Sequence, residues 1–116
     1  MTPFEVKSLM EQNREFWLIP FMDFVDEFRR KQEVASLIEP ITPNNERFDA
    51  LLASTIEYLC NEVNNLPPNW VYNIPACHEP WFVSGVENLK AIAIVESPVW
   101  FRKRKIFVLA NFLDRV

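Results

Sequence analysis

A chain of 116 residues suits one domain and is long enough to bury a hydrophobic core. Apolar residues make up 49% of the chain and aromatic residues 14%, which excludes a disordered tail. The net charge is −4, and the single glycine disfavours a hairpin-rich β fold, whose tight turns need positive φ.

The charge is unevenly distributed along the chain. Residues 97–116 carry five cations and one acid, a net charge of +4, which leaves −8 on residues 1–96. An acidic body with a basic end is a dipolar molecule, so the basic end either attracts an anionic partner or neutralises the body.

The cysteines and the termini predict a cytoplasmic protein. Cys60 and Cys77 are too few for a disulfide scaffold, and we interpret both as reduced thiols. The N-terminus is charged and interrupted, so no signal peptide is predicted. The longest apolar run, FWLIPFM from Phe16 to Met22, is too short to span a membrane, so no membrane partner is expected.

Two helices are predicted in the first 40 residues. The segment TPFE, which starts at Thr2, is a capping box with proline at the first helical position, so a helix should run to about Asn13. A second helix should begin at or be kinked by Pro20 and end at Pro40. Its apolar face recurs at helical spacing and comprises Phe21, Phe24, Val25, Phe28, Ala35 and Ile38.

A third helix is predicted after Thr42 and Pro43, a second cap followed by proline. Its continuous apolar stripe comprises Phe48, Leu51, Leu52, Thr55, Ile56, Leu59 and Val63. Asn64 and Asn65 should end it. Three helices with apolar faces and short connections favour a helical bundle.

The second half of the chain has a different texture. Residues 66–82 are rich in proline and aromatic side chains and have no helical period. The segment SGVE, which starts at Ser84, reads as another capping box that opens a helix to about Val95. Because its AIAIV segment is apolar nearly all round, we predict that this helix is buried, with a strand as the alternative. The segment from Ile106 to Leu109 is short and β-prone.

The predicted architecture is therefore mainly α: a small bundle of about four helices with an irregular Pro/Trp-rich C-terminal arm. One short strand pair, such as a hairpin, fits the β-prone segment. We predict a single domain over residues 1–116. Residues 1–65 form its helical core, and residues 66–116 form a Pro/aromatic-rich element that packs on this core.

Catalytic and metal-binding patterns are weak in this sequence. The only histidine, His78, is flanked by Cys77 and Glu79, and adjacent loop residues do not make a catalytic dyad. Zinc sites commonly use spaced ligand pairs, and no Gly-rich loop is present to hold a phosphate. We therefore predict a protein that is not an enzyme and needs no cofactor or metal.

Four consecutive cations, Arg102 to Lys105, follow Trp100 and Phe101 and precede a second apolar pair. Basic residues beside aromatic ones can bind phosphates and stack bases. As an alternative, the aromatic residues close the bundle while Arg102 and Arg104 pair with acidic helices. We favour this latch, which leaves Lys103 and Lys105 as the cations most free to meet a partner.

Several short motifs lie in the C-terminal half. They are Pro68 and Trp70; EPWF from Glu79 to Phe82; Ser97 and Pro98 followed by Phe101, Arg104 and IFV from Ile106 to Val108; and Asn111, Leu113 and Arg115. This pattern, over about residues 66–116, resembles an element of short bacterial and archaeal proteins without an assigned activity. Members of that family are often encoded beside nucleotidyltransferase-like or other toxin–antitoxin partners.

The resemblance implies no catalytic residue. It implies that the region around Phe101, Arg104 and Ile106 serves either folding or partner binding. This chain departs from the pattern at Lys105, where the family has asparagine, and a lysine side chain cannot accept a hydrogen bond as asparagine can.

These observations predict a non-enzymatic protein-interaction module, antitoxin-like or an accessory subunit of such a locus, whose partner is a protein encoded nearby. The alternative is a nucleic-acid-binding module that uses the basic cluster. Homodimerisation is also compatible with the high apolar content. The predicted binding residues are Trp81, Trp100, Phe101, Arg102, Lys103, Arg104 and Lys105.

Overall fold

The computed structural model describes residues 1–114, so Arg115 of the C-terminal motif lies outside the described residues. The helices are α1 (Pro3–Gln12), α2 (Leu18–Lys31), α3 (Glu46–Glu62), α4 (Lys90–Glu96) and α5 (Val99–Arg102). Short 3₁₀ turns cover Arg14–Phe16, Val34–Leu37, Asn69–Asn73 and Glu87–Leu89. Two short strands, β1 (Trp81–Phe82) and β2 (Ile106–Phe107), form one pair. The predicted mainly-α class is confirmed.

Helix α1 begins as the capping box predicts. The Thr2 hydroxyl oxygen accepts a hydrogen bond from the Glu5 backbone N–H at 3.2 Å. The Glu5 carboxylate reaches back to the same hydroxyl group, also at 3.2 Å. Two side chains thereby hold the first turn of the helix in place.

Helix α2 ends earlier than predicted. Pro20 lies in its first turn, where a missing N–H costs no intrahelical bond. The helix stops at Lys31, because Gln32 adopts a left-handed conformation with φ of 53° and donates its N–H to the Phe28 carbonyl. The prediction that it runs to Pro40 was wrong. The break also changes the buried set, since Leu37 is buried while Ala35 and Ile38 are exposed.

Helix α3 has a different cap from the predicted one. The Asn45 side chain accepts from the Phe48 N–H at 3.1 Å, so the cap is Asn45 and not Thr42. Asp49 supports this start by accepting from the N–H groups of Asn44 and Asn45. A threonine followed by a proline is thus insufficient to predict where a helix begins, because the backbone between residues 42 and 45 is non-helical.

The other features of α3 were predicted correctly. Its apolar stripe is buried apart from Val63, which is half-buried. At its end Asn64 adopts φ of 58°, and its N–H bonds to the Asn61 carbonyl. The Asn65 N–H bonds to the Cys60 carbonyl, which completes a Schellman motif.

The core lies between α1, α2 and α3. Its large fully buried side chains include Met10, Phe21, Phe24, Leu51, Leu52, Ile56 and Leu59. A buried ion pair accompanies this packing, since the Lys7 ammonium group lies 2.5 Å from the Asp49 carboxylate and also bonds to the Thr42 carbonyl. The pair ties α1 to the start of α3.

The strand pair is confirmed, but it is parallel and therefore not a hairpin. Trp81 pairs with Ile106 and Phe82 with Phe107. Three hydrogen bonds align the two segments. The N–H groups of Cys77, Trp81 and Val83 donate to the carbonyls of Arg104, Lys105 and Phe107, respectively. Parallel strands need a long crossover, and residues 83–105, which include α4 and α5, supply it.

Helix α4 contradicts two predictions. Ser84 accepts from the Val86 N–H at 3.3 Å, so it forms a local turn and caps no helix, and α4 begins only at Lys90. The helix is not buried either, because Ala93 is the only buried residue between Lys90 and Glu96. It packs on β2 with one narrow face, and the remaining apolar side chains meet solvent. No helix among residues 1–114 is long and apolar enough to cross a membrane.

Candidate interaction surface

The four consecutive cations do not form one patch. Arg104 is only 3% exposed, whereas Arg102, Lys103 and Lys105 are exposed. The separation has a backbone cause. Helix α5 ends at Arg102, and Lys105 adopts a left-handed conformation with φ of 60°, so successive side chains leave the chain in different directions.

Arg104 is the central residue of the latch. Its Nη1 atom lies 2.5 Å from Glu57 Oε2 and 3.3 Å from Ser54 Oγ, both on α3. Its Nη2 atom donates to the Val71 carbonyl at 2.6 Å, and its Nε atom donates to the Ile74 carbonyl at 3.2 Å. A guanidinium group with its partners on three sides is satisfied despite its burial.

Lys103 shares the same carboxylate. Its Nζ atom lies 2.8 Å from Glu57 Oε1 and 5.9 Å from the centroid of the Tyr72 ring. The side chain remains partly exposed, but it is paired, so the expectation that it is one of the freest cations was wrong. The buried Glu57 side chain can thus accept from two cations, one interior and one at the surface.

The two remaining cations each bond to a backbone carbonyl and not to a carboxylate. Arg102 donates from Nη2 to the Ser97 carbonyl at 2.8 Å, at the C-terminal end of α4. It therefore satisfies a helix end and does not pair with an acidic helix, as the latch interpretation had expected. Lys105 reaches the His78 carbonyl at 3.4 Å from an exposed position. Arg102 and Lys105 are the cations with most freedom to meet a partner.

The predicted aromatic site residues lie mainly in the interior. Phe101 is fully buried between Tyr58 and Phe112, with ring centroids 6.1 and 6.4 Å away. Trp81 is 9% exposed and packs 5.8 Å from the Trp17 ring.

Trp100 is the most accessible of these three aromatic residues. It is half-buried and meets Tyr58 edge-on at 5.7 Å. The structure therefore brings the aromatic residues together as parts of the core and leaves them little surface for a partner.

The most exposed apolar side chains near the basic cluster lie on α4 and α5. Ile92 and Ile94 are each 47% exposed, Val95 is 78% exposed and Val99 is 58% exposed. Arg102 lies next to them, because it bonds to the carbonyl of Ser97, the residue that follows α4. We call this set, Ile92, Ile94, Val95, Val99 and Arg102, the α4–α5 surface.

Sequence reasoning missed this surface because it took an apolar helix to be a buried one. One signal pointed the other way. This seven-residue helix begins with Lys90 and ends with Glu96, and Glu87 precedes it. Charged residues at both ends favour contact of those ends with water. A short helix anchored through one small residue, Ala93, then exposes most of its circumference.

Cys77 and His78 do not form a reactive pair. Cys77 is buried, and burial, assisted by the Glu46 carboxylate, raises the pKa of its thiol. Burial likewise raises the pKa of Cys60 to about 11. The His78 ring points instead to Glu46. Its hydrogen bond to the Glu46 carboxyl group lowers the pKa of that group. Both thiols therefore stay protonated at neutral pH.

Within residues 1–114, no group of three or more His, Cys, Asp or Glu side chains is placed to hold a metal ion. Comparisons with protein-family models, with curated proteins and with solved structures found no match to this chain.

Proposed function

We propose that this protein is a non-enzymatic protein-interaction module whose α4–α5 surface binds a partner protein. The main support for this proposal is that two consecutive helices expose four aliphatic side chains, Ile92, Ile94, Val95 and Val99. Apolar surface of this kind gains free energy when a partner removes it from water, and clustered patches commonly mark interaction sites.

The surroundings of the surface support a binding role. Its rim is polar: Glu96 accepts from the Ala110 N–H at 3.0 Å, and Arg102, the last residue of α5, donates to the Ser97 carbonyl at the end of α4. An apolar centre with a polar rim is the usual anatomy of a protein–protein interface. The Arg104 latch ties the end of α5 to α3, and the Ser97 hydroxyl group ties the end of α4 to Val108. Both helices are therefore anchored before a partner binds, which lowers the ordering cost of binding.

The partner that we propose follows from the resemblance of residues 66–116. It is a protein encoded beside this chain, and this chain is then antitoxin-like or an accessory subunit of a bacterial toxin–antitoxin or nucleotidyltransferase locus. The function would be exercised in the cytoplasm, in line with the reduced thiols.

The nucleic-acid alternative has less support. Arg104 is buried and Lys103 is paired with Glu57, which leaves Arg102 and Lys105 for phosphate contacts. A single-stranded ligand held by two phosphate contacts would show a logarithmic salt slope of about −1.4. Binding of a single-stranded oligonucleotide with a slope of about −1.4 would favour the alternative.

The test is co-purification of the chain with the product of the adjacent reading frame. We expect wild-type chain and partner to co-elute, and Val95→Glu to weaken the complex by at least about tenfold, because it places a charge at the centre of an apolar contact. Ile38→Glu is the matched control, because Ile38 is a similarly exposed aliphatic residue, at 64%, outside α4 and α5.

Two results would contradict the proposal. One is a pair of monodisperse proteins that never co-elute in wild-type form. The other is equal binding by Val95→Glu and Ile38→Glu when both retain the wild-type urea midpoint. Light scattering of the chain alone identifies the partner as a second copy if the wild type is a dimer and Val95→Glu is a monomer.

A further inference from the structure

A groove lies on the molecule between the start of α2 and the C-terminal segment. It has a volume of about 510 Å³ and opens to solvent. Its wall at the start of α2 comprises Trp17 and Leu18, and its wall from the C-terminal half comprises Val83, Leu109 and Phe112. This volume and apolar lining fall in the range of sites that bind small molecules.

The aromatic walls of the groove are held by the core. Trp17 meets Phe21 edge-on at 5.6 Å, and Phe112 stacks on the same Phe21 ring at 5.8 Å with an interplanar angle of 28°. Because one buried ring supports both walls, their spacing is set before any ligand arrives.

The polar groups of the groove select for positive charge. Glu15 lines it, and its side chain has no hydrogen bond or ion pair within residues 1–114. Ser84 and Asn111 also line the groove, whereas no lysine, arginine or histidine among residues 1–114 does. A carboxylate that shares a groove with two aromatic rings is chemistry that recognises an organic cation, through an ion pair and through the negative faces of the rings.

We propose that this groove binds a small organic cation with an apolar body, such as an aromatic or branched aliphatic amine. Its ammonium group lies beside Glu15, and its body lies between Trp17 and Phe112. The site is separate from the residues of the α4–α5 surface, so the two proposals stand or fall independently.

The test is an NMR titration of the full chain with two probes of the same shape, phenethylamine and 2-phenylethanol, at neutral pH. We expect both to shift the Trp17 indole N–H and the Leu109 and Asn111 amides. The amine should bind about fivefold more tightly than the alcohol, the gain typical of an exposed charge pair and a cation–π contact.

Glu15→Gln should remove this preference for the amine while leaving the binding of the alcohol unchanged. Glu39→Gln is the matched control, since Glu39 is an exposed carboxylate outside the groove, and it should keep the preference. Equal affinities for the two probes in the wild type, shifts confined to other parts of the molecule, or a preference that survives Glu15→Gln would each overturn the proposal.

Discussion

Arg104 and Lys105 are neighbours in the chain with opposite environments. Arg104 is interior, and its guanidinium group makes four hydrogen bonds, among them those to Glu57 and the Val71 carbonyl, whereas Lys105 is exposed. Lys105 also has φ of 60°, a left-handed conformation that a lysine adopts at a cost of about 1–2 kcal/mol. Asparagine tolerates this conformation better than lysine does.

Replacing Lys105 with asparagine should therefore stabilise the protein. We expect the free energy of unfolding to rise by about 0.5–1 kcal/mol, measured by urea denaturation, because the backbone strain is relieved. Lys105→Ala is the control: it removes the same charge but keeps a Cβ that disfavours positive φ, so it should give no gain. Equal gains in both variants would assign the effect to charge instead of backbone conformation.

Helix α3 shows how local contacts set the ends of an element. Its start depends on the Asn45 side chain, and its end on a left-handed Asn64. Between these ends the apolar stripe faces the core, while helix α4, of similar apolar character, faces solvent. An element's boundaries thus follow from nearby residues, whereas its burial depends on the space that its neighbours leave.

The cap assignment of α3 can be checked with two substitutions. Asn45→Ala should lower the free energy of unfolding by about 1 kcal/mol, because the Phe48 N–H loses its acceptor. Thr42→Ala should change it by less than about 0.5 kcal/mol, because only the Thr42 backbone carbonyl is used, by Lys7. A larger loss for Thr42→Ala in urea denaturation would restore the cap that the sequence had suggested.

At the scale of the whole molecule, the Arg104–Glu57 pair joins parts that are far apart in the chain. It links α3, the turn at residues 69–74 and the segment between α5 and β2. Both partners are buried, so the contact is costly to break: loss of Glu57 leaves Arg104 buried without a carboxylate, and loss of Arg104 leaves Glu57 with only the surface cation Lys103.

Arg104→Met should destabilise the protein by about 3–5 kcal/mol in urea denaturation. Arg102→Met, the matched exposed change, should cost less than about 1 kcal/mol. Combining Arg104→Met with Glu57→Gln should cost less than the sum of the two single changes, because the two side chains are coupled. Additive losses would show that Arg104 acts through packing alone.

Two lowered carboxyl pKa values give the whole molecule an acid-sensitive stability. Hydrogen bonding to the N-terminal ammonium group lowers the pKa of Glu27, and hydrogen bonding to His78 lowers that of Glu46, both from 4.5. A depressed folded-state pKa contributes stability above the unfolded value, and this contribution is lost as the pH falls through the folded value.

We therefore expect the urea midpoint to fall as the pH drops below about 4.5, and the fall to be shallower in the Glu27→Gln, Glu46→Gln double variant. Glu39→Gln is the control, because this exposed carboxylate has no partner among residues 1–114. An unchanged pH profile in the double variant would contradict the assignment of these two groups.

Predictions from the sequence succeeded where the evidence was local. The cap at Thr2, the apolar stripe of α3 and the β-prone Ile106 all depend on residues within a few positions of one another. They failed where a single residue redirected the chain, as at Gln32, or where an apolar segment was assumed to be buried, as in α4.

The sequence by itself determined the mainly-α class and most helix positions, because caps and helical periodicity are written in consecutive residues. Only the tertiary structure decided which of four adjacent cations is buried, since the partner of Arg104 lies 47 positions away in the chain. It likewise decided that β1 and β2 run parallel and that α4 is exposed. Such features depend on how distant surfaces fit together, and no local pattern encodes that fit.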